Sequence, residues 1–426
     1  MHQAVRPMDA SPAGLVEQAQ DATAPPGLLF HHANEGRPLA TPWQIAALRA
    51  QALRQHDLAE GFILDCACGS GIQLAAYAAT LQRPVLGVEL APERAQASAV
   101  NVRSVAAHTR SLNEAWFLNS SIVCGDGTDA EGVLSSLGEG TFNIAFLHLD
   151  PARPRNSRTH ALEEMQPPLH RVLEGWAPYL DDPALLLDLS PRLTTDQRNE
   201  VETIVDAVWP GVQRTWEWTS RGRGRVDRLA LWLGRVADPS AARRFVRVPS
   251  SLADAPVVLT SATAPEALEA RYHPPQRGEH VSILDAALME SGLMAEWLSI
   301  AAPDDVGRWA YVEGRRPQLH HDRPLRLDSG SHTLVQATGK VVELLKFPLD
   351  ESTVDRLVEM ALDHRLGSVK LRYDLDPNLQ PKLQGSLDRQ LRRRRGDRQG
   401  FVAQHPHGEV LMLCVCPSPA KETDSI

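Results

Sequence analysis

Cysteine is scarce: Cys66, Cys68, Cys124, Cys414 and Cys416 are all there is in 426 residues, an odd number with no C-x-x-C spacing. That excludes a disulfide scaffold and a zinc ribbon. No run of 18 uncharged apolar residues occurs, and Met1 to Pro26 is polar and Ala/Pro-rich without the basic-then-apolar layout of a leader. Neither a membrane-spanning helix nor a signal peptide is therefore expected, and the chain reads as cytoplasmic. The pairs His31-His32 and His320-His321 have the wrong spacing for a helical metal face and no cysteine companions, so no metal is expected. Lysine is missing until Lys340, which leaves arginine as the only strong base over most of the chain.

What is present is ordinary globular composition, 43% hydrophobic and 23% charged, in a length that calls for two folded units. The net charge of −9 excludes a uniformly basic nucleic-acid coat. Residues 340–426 nevertheless hold 14 Lys and Arg against 13 Asp and Glu, so the acidity lies upstream. Phosphate contacts are to be sought in the C-terminal part.

Residues 1–30 show no periodicity and read as a mobile arm. Over 31–60 a helical lead-in is expected: Thr41 as cap, Pro42 in the first turn, and an apolar face of Ile45, Leu48 and Leu53. From Gly61 to about 235, short apolar runs alternate with helical patterns, the signature of a parallel sheet wrapped by helices. The strands are expected at Phe62–Cys66, Val85–Val88, Ser120–Cys124, Ile144–Leu149 and Leu185–Leu189. Val212–Thr219 and Arg228–Leu233 follow, too closely joined for a parallel crossover, and so form an antiparallel hairpin at the sheet edge. Residues 236–335 read as a bridging region with a strand near Val257 and an amphipathic helix over Ile283–Ser299. A second, smaller α/β domain is expected over 336–416, then a polar tail over 417–426.

The informative stretch is Asp65-Cys66-Ala67-Cys68-Gly69-Ser70-Gly71-Ile72, an apolar strand running through small residues into a helix. Gly69 and Gly71 allow a turn too tight for a Cβ and let a ligand approach the backbone. Leu74 takes the place of the third glycine of a dinucleotide fingerprint, which disfavours a nicotinamide dinucleotide. The second strand ends in Glu89, an acceptor for ribose hydroxyls in this topology; Asp126 follows the third, suited to an exocyclic amine; Asp150-Pro151-Ala152-Arg153 ends the fourth. Four successive strand ends thus carry small or acidic residues on the edge where open α/β sheets bind ligands.

These motifs resemble those of class I S-adenosylmethionine-dependent methyltransferases over roughly residues 60–235. The resemblance implies a Rossmann-like sheet of seven strands with the last inserted antiparallel. It also implies S-adenosyl-L-methionine as cofactor, held by Asp65, Cys66, Ala67, Gly69, Gly71, Glu89 and Asp126. The Asp-Pro-Ala-Arg motif, Ser190-Pro191, Val369-Lys370-Leu371-Arg372 and the terminal apolar strand together look like methyltransferases carrying a THUMP-like domain, which implies an RNA substrate, ribosomal or transfer, docked by the C-terminal domain. Asp150, Pro151 and Arg153 would face the reaction. Two positions depart from the pattern: Pro154 stands where many relatives have a second Arg, and Asp188 where they have Lys.

Each feature has a plainer alternative. Asp150 to Arg153 can be an ordinary strand-end turn, and Cys66 and Cys68 are small packing residues rather than nucleophiles. Cys414 and Cys416 share one face of a terminal strand. The run Arg389, Arg392, Arg393, Arg394, Arg395 and Arg398 straddles a helix end, where charge–dipole attraction explains part of it without a ligand. Alternatives to an RNA methyltransferase are a small-molecule or protein methyltransferase, and a non-catalytic protein that binds S-adenosylmethionine or RNA.

Overall fold

A computed structural model describes the chain except for residues 1, 19, 35–40, 139, 141, 154–159, 267, 304–306, 313–314, 395 and 418–426. Pro154, Arg395 and nearly all of the expected tail lie outside the described residues. The fold is mixed α/β and divides into two compact units. The first comprises Met1–Thr219, Asp227–Arg244 and Val248–Pro256; the second comprises Ser220–Val226, Phe245–Arg247 and Val257–Ile426.

The first unit carries strands β1 (Gln3–Val5), β2 (Val16–Glu17), β3 (His31–His32), β4 (Phe62–Asp65), β5 (Val85–Glu89), β6 (Ser121–Cys124), β7 (Ile144–Leu149), β8 (Ala184–Leu189), β9 (Arg214–Ser220) and β10 (Arg228–Gly234), followed by the start of β11 (Arg243–Arg247), whose last three residues are counted with the second unit. Its helices are α1 (Trp43–Leu53), α2 (Ile72–Leu81), α3 (Pro92–His108), α4 (Ala115–Leu118), α5 (Ala130–Ser135), α6 (Leu169–Trp176) and α7 (Thr195–Val208). The strands lie in the order β1-β6-β5-β4-β7-β8-β10-β9. The five from β6 to β8 are parallel, and β10 runs antiparallel to both β8 and β9.

Local chemistry explains these elements. β5, β7 and β8 are buried along their whole length, as strands covered on both faces require. Alanines on α2 and α3 let the helices pack closely on Ile63, Val85, Ile122 and Phe146 in one core. α7 opens with a capping box, in which Thr194 and Gln197 satisfy each other's backbone N–H.

Three expectations are corrected in this unit. Residues 1–30 are not a free arm among the described positions: β1 pairs antiparallel with β6, and Ala10, Leu28 and Phe30 are buried in the core. Such a segment escapes periodicity because a three-residue edge strand needs only its backbone. The β9–β10 hairpin forms as expected but is not the edge of the sheet, since β11 follows β9 and Trp216 N–H donates to Ala242 O at 2.9 Å. The buried face of α1 includes Gln44 and Arg49 beside Ile45 and Leu53, while Leu48 is only half-buried.

The second unit contains β12 (Val257–Ser261), β13 (His280–Leu284), α8 (Ala286–Ser291), α9 (Met294–Ala301), β14 (Arg308–Ala310), β15 (Gln318–His321), α10 (Ser329–His332), β16 (Val335–Leu345), α11 (Val354–Asp363), β17 (Leu366–Leu371), α12 (Leu379–Arg392), β18 (Arg398–Gln404) and β19 (Leu411–Val415). Seven of its strands form one sheet in the order β14-β15-β13-β16-β19-β18-β17. Leu383, Leu387 and Leu391 of α12, at helical spacing, pack with Leu357 and Val358 of α11 against Leu411, Leu413 and Val415. The alternate residues Met412 and Cys414 enter a second cluster with Val281 and Phe401, and Cys416 packs on it, so Cys414 and Cys416 do share a face.

Residues 236–335 are accordingly not a separate bridge: β13, β14 and β15 are strands of this second sheet. The helix expected over Ile283–Ser299 is a strand and two short helices. Asp285 caps α8 through Ala287 N–H, and Gly292 at φ 67° ends it. The second unit therefore begins well before residue 336.

Candidate functional site

Parallel strands all end on the same side, and here β4 to β8 bring their carboxyl ends to one cleft of about 740 Å³ within the first unit. The loop after β4 is held by its own backbone. Cys66 N–H donates to His148 O, Cys68 N–H to Val88 O and Gly71 N–H to Cys68 O. Gly69 N–H donates to Glu89 Oε2 at 3.1 Å, and Asn101 Nδ2 donates to Ser70 O at 2.7 Å.

Asp65, Cys66, Ala67, Gly69, Glu89, Asp126, Asp150, Pro151 and Arg153 all line this cleft. Gly71 does not. It sits at φ 70°, and a Cβ there would lie 2.2 Å from Ser98 Oγ, so its glycine serves the close approach of α2 to α3. The acids are not equivalent. Asp65 is 2% exposed and spends Oδ1 on Ala67 N–H and Oδ2 on His148. Glu89 accepts from Gly69 N–H and Ala91 N–H and pairs with Arg94 at 3.0 Å. Asp126 is exposed, with one oxygen taken by Thr128.

Behind the cleft runs a buried chain of charge that sequence reasoning did not find. Asp65 Oδ2 meets His148 Nδ1 at 2.8 Å; His148 Nε2 lies 3.8 Å from Asp188 Oδ2; Asp188 is gripped by both terminal nitrogens of Arg49. Burial alone would discharge His148, but Asp65 and Asp188 outweigh it and push its pKa up to about 9. The chain is then two acids and two bases, and neutral. His148 lies on β7 two residues before Asp150, which follows the strand end, and that closeness to the fourth motif was the available signal. Arg49 gave none.

Asp150 is half-buried and has no hydrogen-bond partner among the described residues. Burial and the neighbouring Asp188 raise its pKa, with Arg228 and His148 opposing. Burial lowers the pKa of Arg153. The Cys66 and Cys68 thiols are buried and pushed well above their ordinary value, by burial first and then by Asp65, which leaves no thiolate nucleophile. Ala152 and Gln166 exchange both backbone hydrogen bonds at 2.9 Å and so tie the segment after β7 back on itself. His160, whose Nδ1 lies 3.1 Å from Ser190 Oγ, Arg171 and Arg228 also line the cleft, and sequence reasoning named none of them. Among the described residues no group of three His, Cys, Asp or Glu could hold a metal ion, and no helix is long and apolar enough to cross a membrane.

No family model and no curated protein matches the chain. Among solved structures, it is similar to a protein of Porphyromonas gingivalis W83 described as a methyltransferase, at 14% identity and TM-score 0.53, covering 89% of this chain and 82% of that one. A Listeria monocytogenes protein described as a class I S-adenosylmethionine-dependent methyltransferase matches at 14% identity and TM-score 0.33, over 51% and 66% of the two chains. The ribosomal RNA methyltransferase aviRa of Streptomyces viridochromogenes matches at 17% identity and TM-score 0.32, over 48% and 89%. The first likeness is one of fold, and it extends over most of both chains.

Proposed function

We propose that the chain is an S-adenosylmethionine-dependent methyltransferase acting on RNA. The observation that carries this is the convergence of Gly69, Glu89, Asp126 and Asp150 from four successive strand ends on one cleft. The order β6-β5-β4-β7-β8-β10-β9, with β10 antiparallel, supports the seven-stranded layout of class I enzymes.

The residues fit this cofactor. A Cβ at Gly69 would meet only Ala67 O, at 4.0 Å, so the backbone there is open to a ligand. Leu90, beside Glu89 on the cleft wall, is 73% exposed and offers an apolar surface to a base. Glu89 would accept from the ribose hydroxyls and Asp126 from the exocyclic amine, with Cys66, Ala67 and Gly69 supplying the loop. Asp65 would act through that loop, its oxygens held by Ala67 N–H and His148, and Glu89, itself held by Gly69 N–H, Ala91 N–H and Arg94, would offer its remaining lone pairs. S-adenosylmethionine would supply a methyl group already activated on a sulfonium. The protein's part is alignment and exclusion of water. Asp150, without a hydrogen-bond partner among the described residues and raised in pKa, orients the acceptor or takes its proton, and Pro151 and Arg153 shape the same wall.

RNA as acceptor is supported by the second unit. Arg389, Arg392, Arg393 and Arg394 are exposed at the end of α12 and form no ion pair among the described residues. This unit, expected to be THUMP-like, would dock the RNA through that run.

The test is transfer of labelled methyl from S-adenosylmethionine to undermethylated total RNA, with Asp150→Ala as control and calorimetry of S-adenosylhomocysteine binding alongside. Label in one RNA size class, lost in the variant, supports the reading. Cofactor binding without label in RNA favours a small-molecule or protein acceptor, or binding without turnover. Absence of cofactor binding sinks the proposal.

A further inference from the structure

The cleft is divided by charge along the sheet. Asp65 and Glu89 end β4 and β5 and Asp126 follows β6 on one side, where the lining Arg94 is paired with Glu89; Arg153 follows β7, Arg228 opens β10, and Arg171 lies on α6, all lining the other. On this second side the one cleft-lining acid is Asp150, whose charge burial and Asp188 disfavour. Asp188 itself is already matched by Arg49.

Asp150 and Glu164 are near enough to favour the charge of Arg153, but among the described residues the arginines are short of hydrogen-bond partners. Nε and Nη2 of Arg153 are both buried with no hydrogen bond among the described residues. These two nitrogens form one edge of the guanidinium, the edge that presents two parallel N–H donors to a pair of oxygens. Arg228 donates through Nη2 to Thr41 Oγ1 at 3.2 Å, while its buried Nε has no partner. Arg171 is exposed at the cleft and has no ion pair among the described residues. Buried donors left unmade are costly, and three on two neighbouring cations call for an anionic acceptor.

We infer that Arg153 and Arg228, with Arg171 at the mouth, form an anion subsite beside Asp150 that takes a phosphate ester of the acceptor substrate. The inference deepens the methyltransferase reading of the same cleft and rests on it for the word acceptor. The phosphate belongs to an RNA backbone or to a free nucleotide. The fork of Arg153 suits both, because it reads two oxygens and not what they are attached to.

The experiment uses the full chain saturated with S-adenosylhomocysteine. Calorimetry follows the binding of a nucleoside 5′-monophosphate, its unphosphorylated nucleoside and a short single-stranded oligoribonucleotide to the native protein, Arg153→Gln and Arg153→Lys. Expected is binding of at least one phosphate-bearing probe that weakens with salt and falls on the order of tenfold in Arg153→Gln. The nucleoside should be indifferent to the change, and Arg153→Lys should recover only part, since it restores charge without the fork. Preference for the oligoribonucleotide over the monophosphate assigns the phosphate to RNA; the reverse assigns it to a free nucleotide. Unchanged thermal unfolding and S-adenosylhomocysteine affinity in the variants separate a lost subsite from a lost fold. Equal binding of both phosphate probes to native protein and Arg153→Gln, or no binding to the native protein, overturns the inference. Phosphate binding that depends on Arg153, in a protein that does not bind S-adenosylhomocysteine, would sink the methyltransferase reading and leave the subsite standing.

Discussion

Arg49 and Asp188, 139 residues apart in sequence, form a two-pronged buried ion pair: Nη2 donates to Oδ1 at 2.6 Å and Nη1 to Oδ2, with the side chains 3% and 2% exposed. Burial alone would raise the Asp188 carboxyl; Arg49 and His148 reverse this and hold it well below the usual carboxylate range. The pair fixes α1 against β8 and anchors the charge chain that reaches Asp65 at the end of β4.

Removing one partner strands the other. Arg49→Met should cost about 3–5 kcal/mol of stability, and Arg49→Met with Asp188→Leu much less, because an apolar pair carries no desolvation penalty. Urea unfolding of the two single variants and the double variant forms a cycle that measures the coupling. Additive losses would show that the two side chains act independently.

His148 gives a prediction in pH. Its folded pKa of about 9 lies above the ordinary 6.5, so its contribution to stability is fully present below pH 6.5 and is lost as pH rises through 9. Between those values the native protein should lose stability relative to His148→Gln at about 1.4 kcal/mol per pH unit. Denaturation midpoints from pH 6 to 10 test it. Parallel curves for the two proteins would mean that His148 is neutral in the fold.

The parallel strands β4 to β8 of the first unit were legible because continuous apolar runs bounded by glycine and acid leave little other reading. β7 was expected over Ile144–Leu149 and is found there. Arg49 was hidden for the opposite reason: on a helix read by its apolar spacing, an arginine counts as solvent-facing, and its partner lies on a strand far along the chain. The end of β13, Ile283 and Leu284, was read into a helix because Asp285 follows it with no glycine or proline between, and acts as a cap rather than as a break. At the site, strand-end acids stood out as residue types. Gly71 showed only that a glycine was needed, and whether it faces a ligand or a helix is decided by α3, whose Ser98 no local motif announces.

That distinction predicts different failures for two glycines in one turn. Gly71→Ala places a Cβ 2.9 Å from the Ser98 backbone at φ 70°, and should destabilise the fold by more than the roughly 1–2 kcal/mol that left-handed backbone alone costs a non-glycine residue. Gly69→Ala, at φ 54° with open space around the new methyl, should cost about that strain alone yet weaken S-adenosylhomocysteine binding disproportionately. Melting temperatures and calorimetry on both variants decide the matter. A cofactor affinity that tracks stability equally in the two would remove Gly69 from the binding wall.

A last prediction concerns the second unit, where His320 on β15 and His405 after β18 are buried with ring centroids 5.4 Å apart. Among the described residues Nδ1 of His320 and Nε2 of His405 are buried with no hydrogen-bond partner, and the charged neighbours that act most on both rings are bases, with the backbone of His273 alone favouring a proton on His405. Burial, with His405 and Arg271 next, lowers His320 to about 2; burial, with His407 and Arg271 next, lowers His405 to about 4. A depressed histidine binds its proton more readily when unfolded. Its contribution is therefore complete above pH 6.5 and drains away as pH falls through the folded values. Hydrogen exchange in β15 and β18 should accelerate on acidification from pH 6.5 to 4, after correction for the intrinsic pH dependence of exchange. His405→Gln, which keeps a polar side chain but cannot take the charge, should blunt that acceleration. Equal acid sensitivity in the two proteins would show that protonation of His405 is not what loosens the sheet.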